Sequence, residues 1–373
     1  MATAVEDRVI PGGRWTHLEL PGHESLEIVV PPSGDLIGDV VLRLGGYFPE
    51  SFELALSMLE PGAVVLDLGA HLGTFSLAAA ARGHRVISVE ASPRNAEFLR
   101  ASARANGFDD LLVVHVAVSD RPGTVRFRPE GAWGQITEGW APGLVEVPAQ
   151  TVPDVLREAG VPRVDFVKVD VEGSEIAVVA GMQDLLRGPD APPVVYESNA
   201  HTLRMFGATP EDLVTTFSGL GYSNYLIGED GLMPVGPESF QPDTCVDYLA
   251  VKGELEAPPG WPVRAPRTEH ELARVVALES TLHIVDARAQ VARSLARAPA
   301  SLLARRDVQL ALTSLALDPD DAVATAAGWW PDRARDTARD GESTADSLHS
   351  LAELGRALHD RIAQIRIRWG LRP

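Results

Sequence analysis

The chain has 373 residues, of which 45% are hydrophobic and 23% charged, and its formal net charge is −19 at pH 7. This length predicts one principal domain plus an accessory region, and the composition is that of a globular protein with enough apolar side chain for a core. Because the negative charge is spread along the chain, it opposes binding to phosphate backbones, which requires clustered Lys and Arg. We therefore expect no nucleic-acid partner.

The cysteine content and the N-terminal sequence bear on location. Cys245 is the single cysteine, so no internal disulfide can form, and this fits a reducing compartment. The opening stretch MATAVEDRVIPGGRW is acidic and lacks the apolar region of a signal peptide. Since the chain also contains no apolar run long enough to span a bilayer, we expect a cytoplasmic protein without a membrane partner.

The segment from Val64 to Val251 alternates short β-branched runs with Ala- and Leu-rich stretches at helical spacing. This alternation is typical of βαβ units and predicts an α/β fold with a doubly wound, mostly parallel sheet. Seven strands are predicted, at Val64–Leu68, Val86–Glu90, Leu112–Ala117, Val164–Asp170, Val194–Glu197, Tyr222–Ile227 and Cys245–Val251. The insertion between the third and fourth strands, which ends at Gln150, predicts a hairpin or a lid.

Four units follow from this pattern. Residues 1–60 form an N-terminal extension, and residues 61–252 form the main domain. The proline-rich residues 253–266 predict an extended linker. Residues 267–373 carry two apolar stripes at spacings of three and four, which predict an α-helical C-terminal domain. These helices either pack in a bundle or form the interface of a homodimer.

The strongest local signal is VVLDLGAHLG, residues 64–73, in which an apolar run leads to an acidic residue and two glycines. In an open parallel sheet, ligands bind beyond the carboxyl ends of the strands, where glycine backbone permits close approach. Gly69 and Gly73 provide that access, but their spacing differs from the G-x-G-x-x-G of a dinucleotide-binding turn. Asp67 suits a cationic ligand, and a sulfonium cofactor with an α-amino group fits this description.

Further contacts to this cofactor are predicted near the turn and on the next two strands. Glu90 closes the second strand, where an acidic side chain accepts hydrogen bonds from ribose hydroxyls; a favourable charge at the following helix is the alternative. Ala117 and Val118 are expected near the adenine edge. His71, inside the turn, is expected to face the methionine portion of the cofactor or the acceptor cleft, with structural packing equally open.

Several separated motifs occur in a defined order between about residues 35 and 200: GDVVLRLGGYFPE, DLGAHLGTFS, VISVEASPRN, NGFDDLLVVHVAVSDRPGTV, TVPDVL and VDFVKVDVEGSEIAVVAGM. This series resembles the FkbM family of methyltransferases. The resemblance implies a class I methyltransferase sheet of Rossmann-like type, S-adenosylmethionine as the donor, and usually a hydroxyl acceptor on a sugar or polyketide-type natural product. The chain departs from the family at Pro153 and in the insertion that contains Trp133 and Trp140, and both departures concern the acceptor pocket.

Methyl transfer to an alcohol is an in-line displacement that a base on the acceptor side assists. The block KVDVEGSE, residues 168–175, places Asp170 at the end of the fourth strand and Glu172 in the next loop. Two acidic residues exceed what one helix cap requires, so we expect them in catalysis or acceptor binding, with helix capping as the alternative. His201 is the candidate base if a histidine is used, and a solvent-exposed loop histidine is the alternative.

Glu197, at the end of the fifth predicted strand, and Trp133 are candidates for acceptor binding. Asp170, Glu172 and Glu197 could instead bind Mg²⁺ through oxygen atoms, but the sequence contains no dedicated metal motif. S-adenosylmethionine is therefore the expected cofactor, and no metal ligand is assigned. Lys168 shares a strand face with Asp170, and this predicts an ion pair.

Other functional classes stay open from the sequence. A dehydrogenase is disfavoured because the glycine pattern of nicotinamide cofactors is absent. The domain could bind S-adenosylmethionine without catalysis while the C-terminal helices recruit a partner protein. Methyl transfer could also be directed to an amine or a carboxylate.

Overall fold

The computed structural model describes residues 9–129, 134–137, 143–188, 190–228, 231–239, 241 and 245–264. The described chain begins with an antiparallel hairpin of β1 (Arg14–Leu18) and β2 (Leu26–Val30). Two helices follow, α1 (Leu36–Leu44) and α2 (Glu50–Ser57). The described part of the predicted N-terminal extension therefore contains a hairpin and two helices.

The central sheet contains eight strands, which are β3 (Val64–Leu68), β4 (Arg85–Val89), β5 (Leu111–Val114), β10 (Phe166–Val169), β11 (Val194–Asn199), β12 (Tyr222–Gly228), β13 (Gly231–Val235) and β14 (Cys245–Lys252). Their order is β13-β12-β14-β11-β10-β3-β4-β5. The five strands from β11 to β5 are parallel, whereas β14, β12 and β13 pair antiparallel. The predicted α/β fold with a mostly parallel sheet is confirmed.

The direction of winding reverses between β3 and β10, which lie side by side although about a hundred residues separate them. Open α/β sheets bind ligands at such a switch point, beyond the carboxyl ends of the strands. The strands β3 and β10 are almost completely buried, because helices cover both faces of a parallel sheet, and Asp67 and Lys168 are the charged residues within them. The switch point therefore places the end of β3 and the end of β10 in one site.

Two strand predictions are wrong in detail. The sheet has eight strands rather than seven, because β13 pairs with the edge of β12. Its sequence GLMPV contains a proline, which an edge strand tolerates and which hides the strand from pattern analysis. The predicted strand Leu112–Ala117 ends at Val114, and Ala117 begins a strand of a different sheet.

That second sheet has four strands, β6 (Ala117–Val118), β7 (Gly123–Arg128), β8 (Gln135–Ile136) and β9 (Val145–Gln150), in the order β6-β9-β7-β8. The strands β7 and β9 pair antiparallel, so the insertion before the fourth predicted strand contains a hairpin, as expected. Trp133 and Trp140 lie outside the described residues. The predicted role of Trp133 therefore stays a prediction.

Seven further helices connect the strands of the two sheets: α3 (Thr74–Ala81), α4 (Pro93–Ala105), α5 (Val152–Glu158), α6 (Glu175–Gly181), α7 (Gln183–Arg187), α8 (Ala200–Met205) and α9 (Pro210–Gly219). The start of α4 has a clear local cause, since the Ser92 side chain accepts from the amide of Asn95 and Pro93 occupies the first turn. The N-terminal hairpin packs on α4, where the amide of Val29 donates to Ser102 Oγ at 2.9 Å.

Residues 253–264 contain no helix and return to the sheet edge, where the amide of Leu232 donates to the carbonyl of Pro262 at 2.9 Å. The helical C-terminal domain predicted for residues 267–373, and any homodimer interface on it, lie outside the described residues. Within the described part of the chain, no helix combines the length and the apolar character needed to cross a membrane.

Candidate active site

The turn after β3 requires glycine at two positions. Gly69 and Gly73 have φ angles of +82° and +83°, in the left-handed region that favours glycine. A Cβ atom on Gly69 would lie 1.7 Å from the carbonyl oxygen of Asp170, and one on Gly73 would lie 2.1 Å from Leu99 Cδ1. The absence of side chains therefore lets the turn pass directly against the end of β10 and against α4.

His71 occupies the middle of this turn and also has a left-handed backbone, with φ +53°. Its amide donates to Glu90 Oε2 at 2.7 Å, and its Nε2 lies 2.7 Å from Asp35 Oδ2. Asp35 is only 2% exposed and caps α1 by accepting from the amide of Gly38. The imidazole thus ties the turn to the start of α1, which supports the packing interpretation of His71.

The electrostatics show that this contact is an ion pair. Burial acts to lower the pKa of His71, but the hydrogen bond and the charge of Asp35 outweigh it, so the pKa lies above its ordinary value. Burial acts to raise the pKa of Asp35, but His71 outweighs it in turn, so that pKa lies below its ordinary value. Each partner therefore favours the charged form of the other.

Glu90 lies next to the turn and is 6% exposed. Its Oε2 accepts from the amide of His71, and its Oε1 accepts from the amide of Ser92 at 2.7 Å. Burial raises the pKa of Glu90, and the charge of His71 offsets part of that rise. Because each carboxylate oxygen has a second lone pair, Glu90 can still accept hydrogen bonds from two neighbouring hydroxyls. This geometry fits a ribose better than a simple helix charge.

Asp67 lies beneath the turn and not at its surface, since its side chain is fully buried in β3. Its Oδ2 accepts from Ser76 Oγ at 2.6 Å, while Oδ1 has no hydrogen bond and lies 3.7 Å from Lys168 Nζ. Burial raises the pKa of Asp67, although Lys168 and Ser76 counteract it. Its buried position and its contact with Lys168 make Asp67 a support of the turn, and direct contact with a cationic ligand stays a prediction.

The predicted adenine-side residues are buried in a separate apolar cluster. Ala117 and Val118 form β6, and Ala117 packs with Phe127 and Val147. Ala91, the residue after Glu90, packs against the same cluster. The cluster therefore lies beside Glu90, and contact with the cofactor stays a prediction.

The three acidic residues expected on the acceptor side come together. Asp170 follows β10 directly, Glu172 lies two residues later, and Glu197 belongs to the neighbouring strand β11. One carboxylate oxygen from each lies within 4.8 Å of those of the other two. Asp247 is the register partner of Glu197 on the antiparallel strand β14, and it adds a fourth carboxyl group. We call these four residues the acidic cluster.

None of the described hydrogen bonds gives Asp170 or Glu172 a helix-capping role, and Glu175 binds the loop that precedes α6. Glu175 is 1% exposed, and its Oε1 accepts from the amides of Val171 and Gly173 at 3.2 and 3.1 Å. Burial raises the pKa of Glu175 to about 7. Among the described hydrogen bonds, neither Asp170 nor Glu172 accepts from a backbone amide, so both remain available to a ligand.

Lys168 connects the two halves of the site. Its Nζ lies 2.8 Å from Asp170 Oδ2, which confirms the predicted ion pair, and 3.7 Å from Asp67 Oδ1. It also lies 5.8 Å from the centre of the Phe52 ring. Burial acts to lower the pKa of Lys168, but Asp170 and Asp67 outweigh it, so the pKa is raised and the side chain stays charged.

The rest of the acidic cluster carries unbalanced charge. Burial, together with Asp170 and Glu175, raises the pKa of Glu172 to about 9. Burial, followed by the charges of Asp170 and Glu172, raises the pKa of Glu197 well above its ordinary value. In both residues Oε2 is buried without a hydrogen-bond partner among the described residues. A ligand that brings hydrogen-bond donors or positive charge would satisfy these atoms.

Pattern analysis missed Asp247 and Tyr47. Burial is the main cause that raises the pKa of Asp247 to about 6, and the charge of Asp170 adds to it. The pKa of Tyr47 is also raised, first by burial and then by the charges of Asp247, Asp170 and Glu197. Tyr47 lies within the motif GDVVLRLGGYFPE, so the resemblance marked the segment without revealing the role.

The remaining predicted base, His201, does not join the cluster in the described contacts. Its side chain is exposed at the start of α8, and its backbone amide donates to Asn199 Oδ1 at 3.2 Å. The structure thus favours the alternative in which His201 is a surface residue.

Comparisons with known proteins agree with this geometry. Residues 67–223 match the family model described as the methyltransferase FkbM domain. The 2-O-methyltransferase NoeI of Sinorhizobium fredii (strain NBRC 101917 / NGR234) is 28% identical over 156 residues, which are 35% of this chain and 62% of that protein. The chain therefore matches somewhat less than two thirds of that relative's length.

Two solved methyltransferase structures are also similar. The precorrin-6y C5,15-methyltransferase of Geobacter metallireducens GS-15 aligns with 55% of this chain and 87% of its own, at 14% identity and a TM-score of 0.33. A TehB-like SAM-dependent methyltransferase of Corynebacterium glutamicum ATCC 13032 Kitasato aligns with 58% and 94%, at 15% identity and a TM-score of 0.34.

Proposed function

We propose that this protein transfers a methyl group from S-adenosylmethionine to a hydroxyl oxygen of a small molecule. The starting point is the match of residues 67–223 to the methyltransferase FkbM domain. The acceptor that we infer is a sugar or a polyketide-type natural product. One observation carries the proposal: the glycine turn with Glu90 and the acidic cluster lie on either side of one switch point, and Lys168 contacts carboxylates of both sides.

The residues on the turn side fit the cofactor. The close approach of Gly69 to Asp170 and of Gly73 to Leu99 shapes the turn, and Glu90 holds two oxygens able to accept from ribose hydroxyls. Asp67 is fully buried, with its Oδ1 3.7 Å from Lys168 Nζ, and supports this side of the site from beneath the turn. When bound, S-adenosylmethionine supplies the methyl group as a sulfonium. The chain itself holds the turn in place through the His71 amide and the ion pair with Asp35.

The acidic side fits an acceptor that carries hydroxyl groups. The unpartnered oxygens of Glu172 and Glu197 accept hydrogen bonds but cannot donate them when ionised. Hydroxyls supply the missing donors. Once ionised, a carboxylate with a raised pKa is also a stronger proton acceptor than an ordinary one, so in that form these groups suit the removal of a hydroxyl proton.

Base chemistry is also why we favour a hydroxyl over an amine. A neutral amine already has a nucleophilic lone pair, whereas an alcohol becomes a good nucleophile only as its proton is removed. Four carboxyl groups on the acceptor side provide for that removal. The activity of the 2-O-methyltransferase relative, as its name states it, supports the same choice.

The first experiment is calorimetric titration of the full chain with S-adenosylhomocysteine and, separately, with NADH. Binding of S-adenosylhomocysteine alone supports the cofactor assignment, and binding of neither ligand contradicts it. Incubation with S-adenosylmethionine and a panel of sugars and polyketide alcohols, followed by mass fragmentation of the products, then locates the methyl group. A methyl group found on nitrogen or on a carboxylate would overturn the hydroxyl assignment. Cofactor binding without any product would favour the non-catalytic alternative.

A further inference from the structure

The spacing of three carboxylates in the acidic cluster matches that of ligands around a metal ion. One oxygen each from Asp170, Glu172 and Glu197 lies within 4.8 Å of the other two. Hard divalent cations bind carboxylate oxygens at about 2.0–2.6 Å, so two ligands of one ion lie between about 3 and 5 Å apart. The three side chains could therefore share one cation as they stand.

A second observation, independent of this spacing, concerns the unsatisfied oxygens. Glu172 Oε2 and Glu197 Oε2 are buried from solvent, and neither has a hydrogen-bond partner in the described chain. The other oxygen of Glu197, Oε1, accepts from Cys245 Sγ at 3.0 Å, which holds that carboxylate in place. A buried polar oxygen without a partner is unfavourable, and a ligand would supply the missing partner.

The protein's own positive charge does not meet this requirement. Lys168 is the described cation at the cluster, and its Nζ lies 2.8 Å from Asp170 Oδ2 and 3.7 Å from Asp67 Oδ1. No described ion pair reaches Glu172 or Glu197. With Asp247 beside Glu197, the cluster holds more carboxylates than Lys168 can neutralise.

We propose that Asp170, Glu172 and Glu197 bind one hard divalent cation, such as Mg²⁺ or Mn²⁺, through one oxygen each. Three protein ligands leave about three positions of an octahedral ion for water or for acceptor hydroxyls. The cation balances the surplus charge, positions the acceptor oxygen and lowers the pKa of its hydroxyl. This last consequence rests on the proposed function, whereas the binding of the cation does not.

The test uses Mn²⁺ as the probe on the full chain freed of metal with chelator. Electron paramagnetic resonance and calorimetry should show one Mn²⁺ bound per chain, and Mg²⁺ should displace it. Glu197→Gln should weaken Mn²⁺ binding at least about tenfold. Glu158→Gln is the matched control, since Glu158 is exposed and pairs with Gln150, and it should bind Mn²⁺ as the unaltered protein does. Retained binding of S-adenosylhomocysteine shows that each variant is folded.

The outcomes separate this inference from the proposed function. If neither method detects bound Mn²⁺, or if Glu197→Gln binds it as tightly as the control, the cation site is wrong. If methyl transfer runs at full rate in excess chelator, the cation has no part in the reaction even though the hydroxyl methylation stands. If Mn²⁺ binds as expected but no hydroxyl is methylated, the cation site stands and the proposed function fails.

Discussion

His71 Nε2 lies 2.7 Å from Asp35 Oδ2, and this contact joins the turn between β3 and α3 to the start of α1. The two residues are separated by 36 positions in the sequence. Because the amide of His71 also donates to Glu90, one residue connects the N-terminal extension to the carboxylate that we assign to the ribose. The order of the extension and the shape of the cofactor site are thereby coupled.

Removing this ion pair should destabilise the fold in a pH-dependent way. The raised pKa of His71 means that its contribution is fully present below the ordinary histidine pKa and is lost as the pH rises through the raised value. The lowered pKa of Asp35 means that its contribution is present above the ordinary aspartate pKa and is lost as the pH falls through the lowered value. The pair therefore stabilises the protein most between about pH 4 and pH 6.5.

Asp35→Asn should accordingly lower the free energy of unfolding by on the order of 3 kcal/mol at about pH 6, and by less at about pH 9. Thermal or denaturant unfolding at both pH values measures this difference. Asp154→Asn removes a more exposed carboxylate paired with Arg157 and should change stability little at either pH. A loss for Asp35→Asn that grows with pH would contradict the charged pair.

Gly69→Ala should destabilise the protein far more than a glycine replacement with the same backbone angle in open space. The new Cβ atom would meet the carbonyl of Asp170, which is backbone and cannot move aside. Gly83 has the same φ of +82° with nothing within 4 Å, so Gly83→Ala reports the cost of the left-handed backbone alone. We expect a loss of about 1 kcal/mol for Gly83→Ala and at least about 3 kcal/mol for Gly69→Ala in denaturant unfolding. Equal losses would show that the close approach to β10 is not important.

Glu90→Gln should weaken the binding of S-adenosylhomocysteine at least about tenfold, or about 1.4 kcal/mol. The amide group of Gln has one oxygen, so it cannot accept from both His71 and Ser92 and still receive two ribose hydroxyls. Calorimetry at constant pH measures the dissociation constant. Glu97→Gln, on the exposed side of α4, is the control and should bind as the unaltered protein does. An unchanged affinity in Glu90→Gln would remove Glu90 from the cofactor site.

Asp170→Asn should leave the affinity for S-adenosylhomocysteine nearly unchanged and reduce methyl transfer on the order of a hundredfold. The substitution keeps the shape of the side chain but removes the charge that pairs with Lys168 and contributes to the acidic cluster. Calorimetry and the rate of product formation, with the acceptor identified by the mass-spectrometric panel, measure the two quantities. Asp190→Asn changes an exposed residue and should alter neither. A variant that loses cofactor affinity instead would move Asp170 to the other half of the site.

Much of the sheet could be predicted because its signals are local. The strand Val64–Leu68 occurs where the β-branched run predicts it, and the glycines after it adopt the left-handed turn that their positions required. Runs of apolar residues and turn glycines act through neighbours a few positions away, so they can be recognised without knowing the rest of the chain. The sequence assigned Ala117 to the wrong strand because its pairing is not local. Ala117 pairs with Ala149, which lies in a strand about thirty residues later.

For the acidic residues too, some features follow from the local sequence and others only from the tertiary structure. The sequence by itself determined that carboxylates follow β10 and end β11, and hence that an acidic site would form at the switch point. Only the tertiary structure decided that the register of β14 places Asp247 opposite Glu197, and that the switch point places Lys168 Nζ 3.7 Å from Asp67 Oδ1. These relationships join residues far apart in the chain, and they depend on strand order and register, which no local pattern specifies.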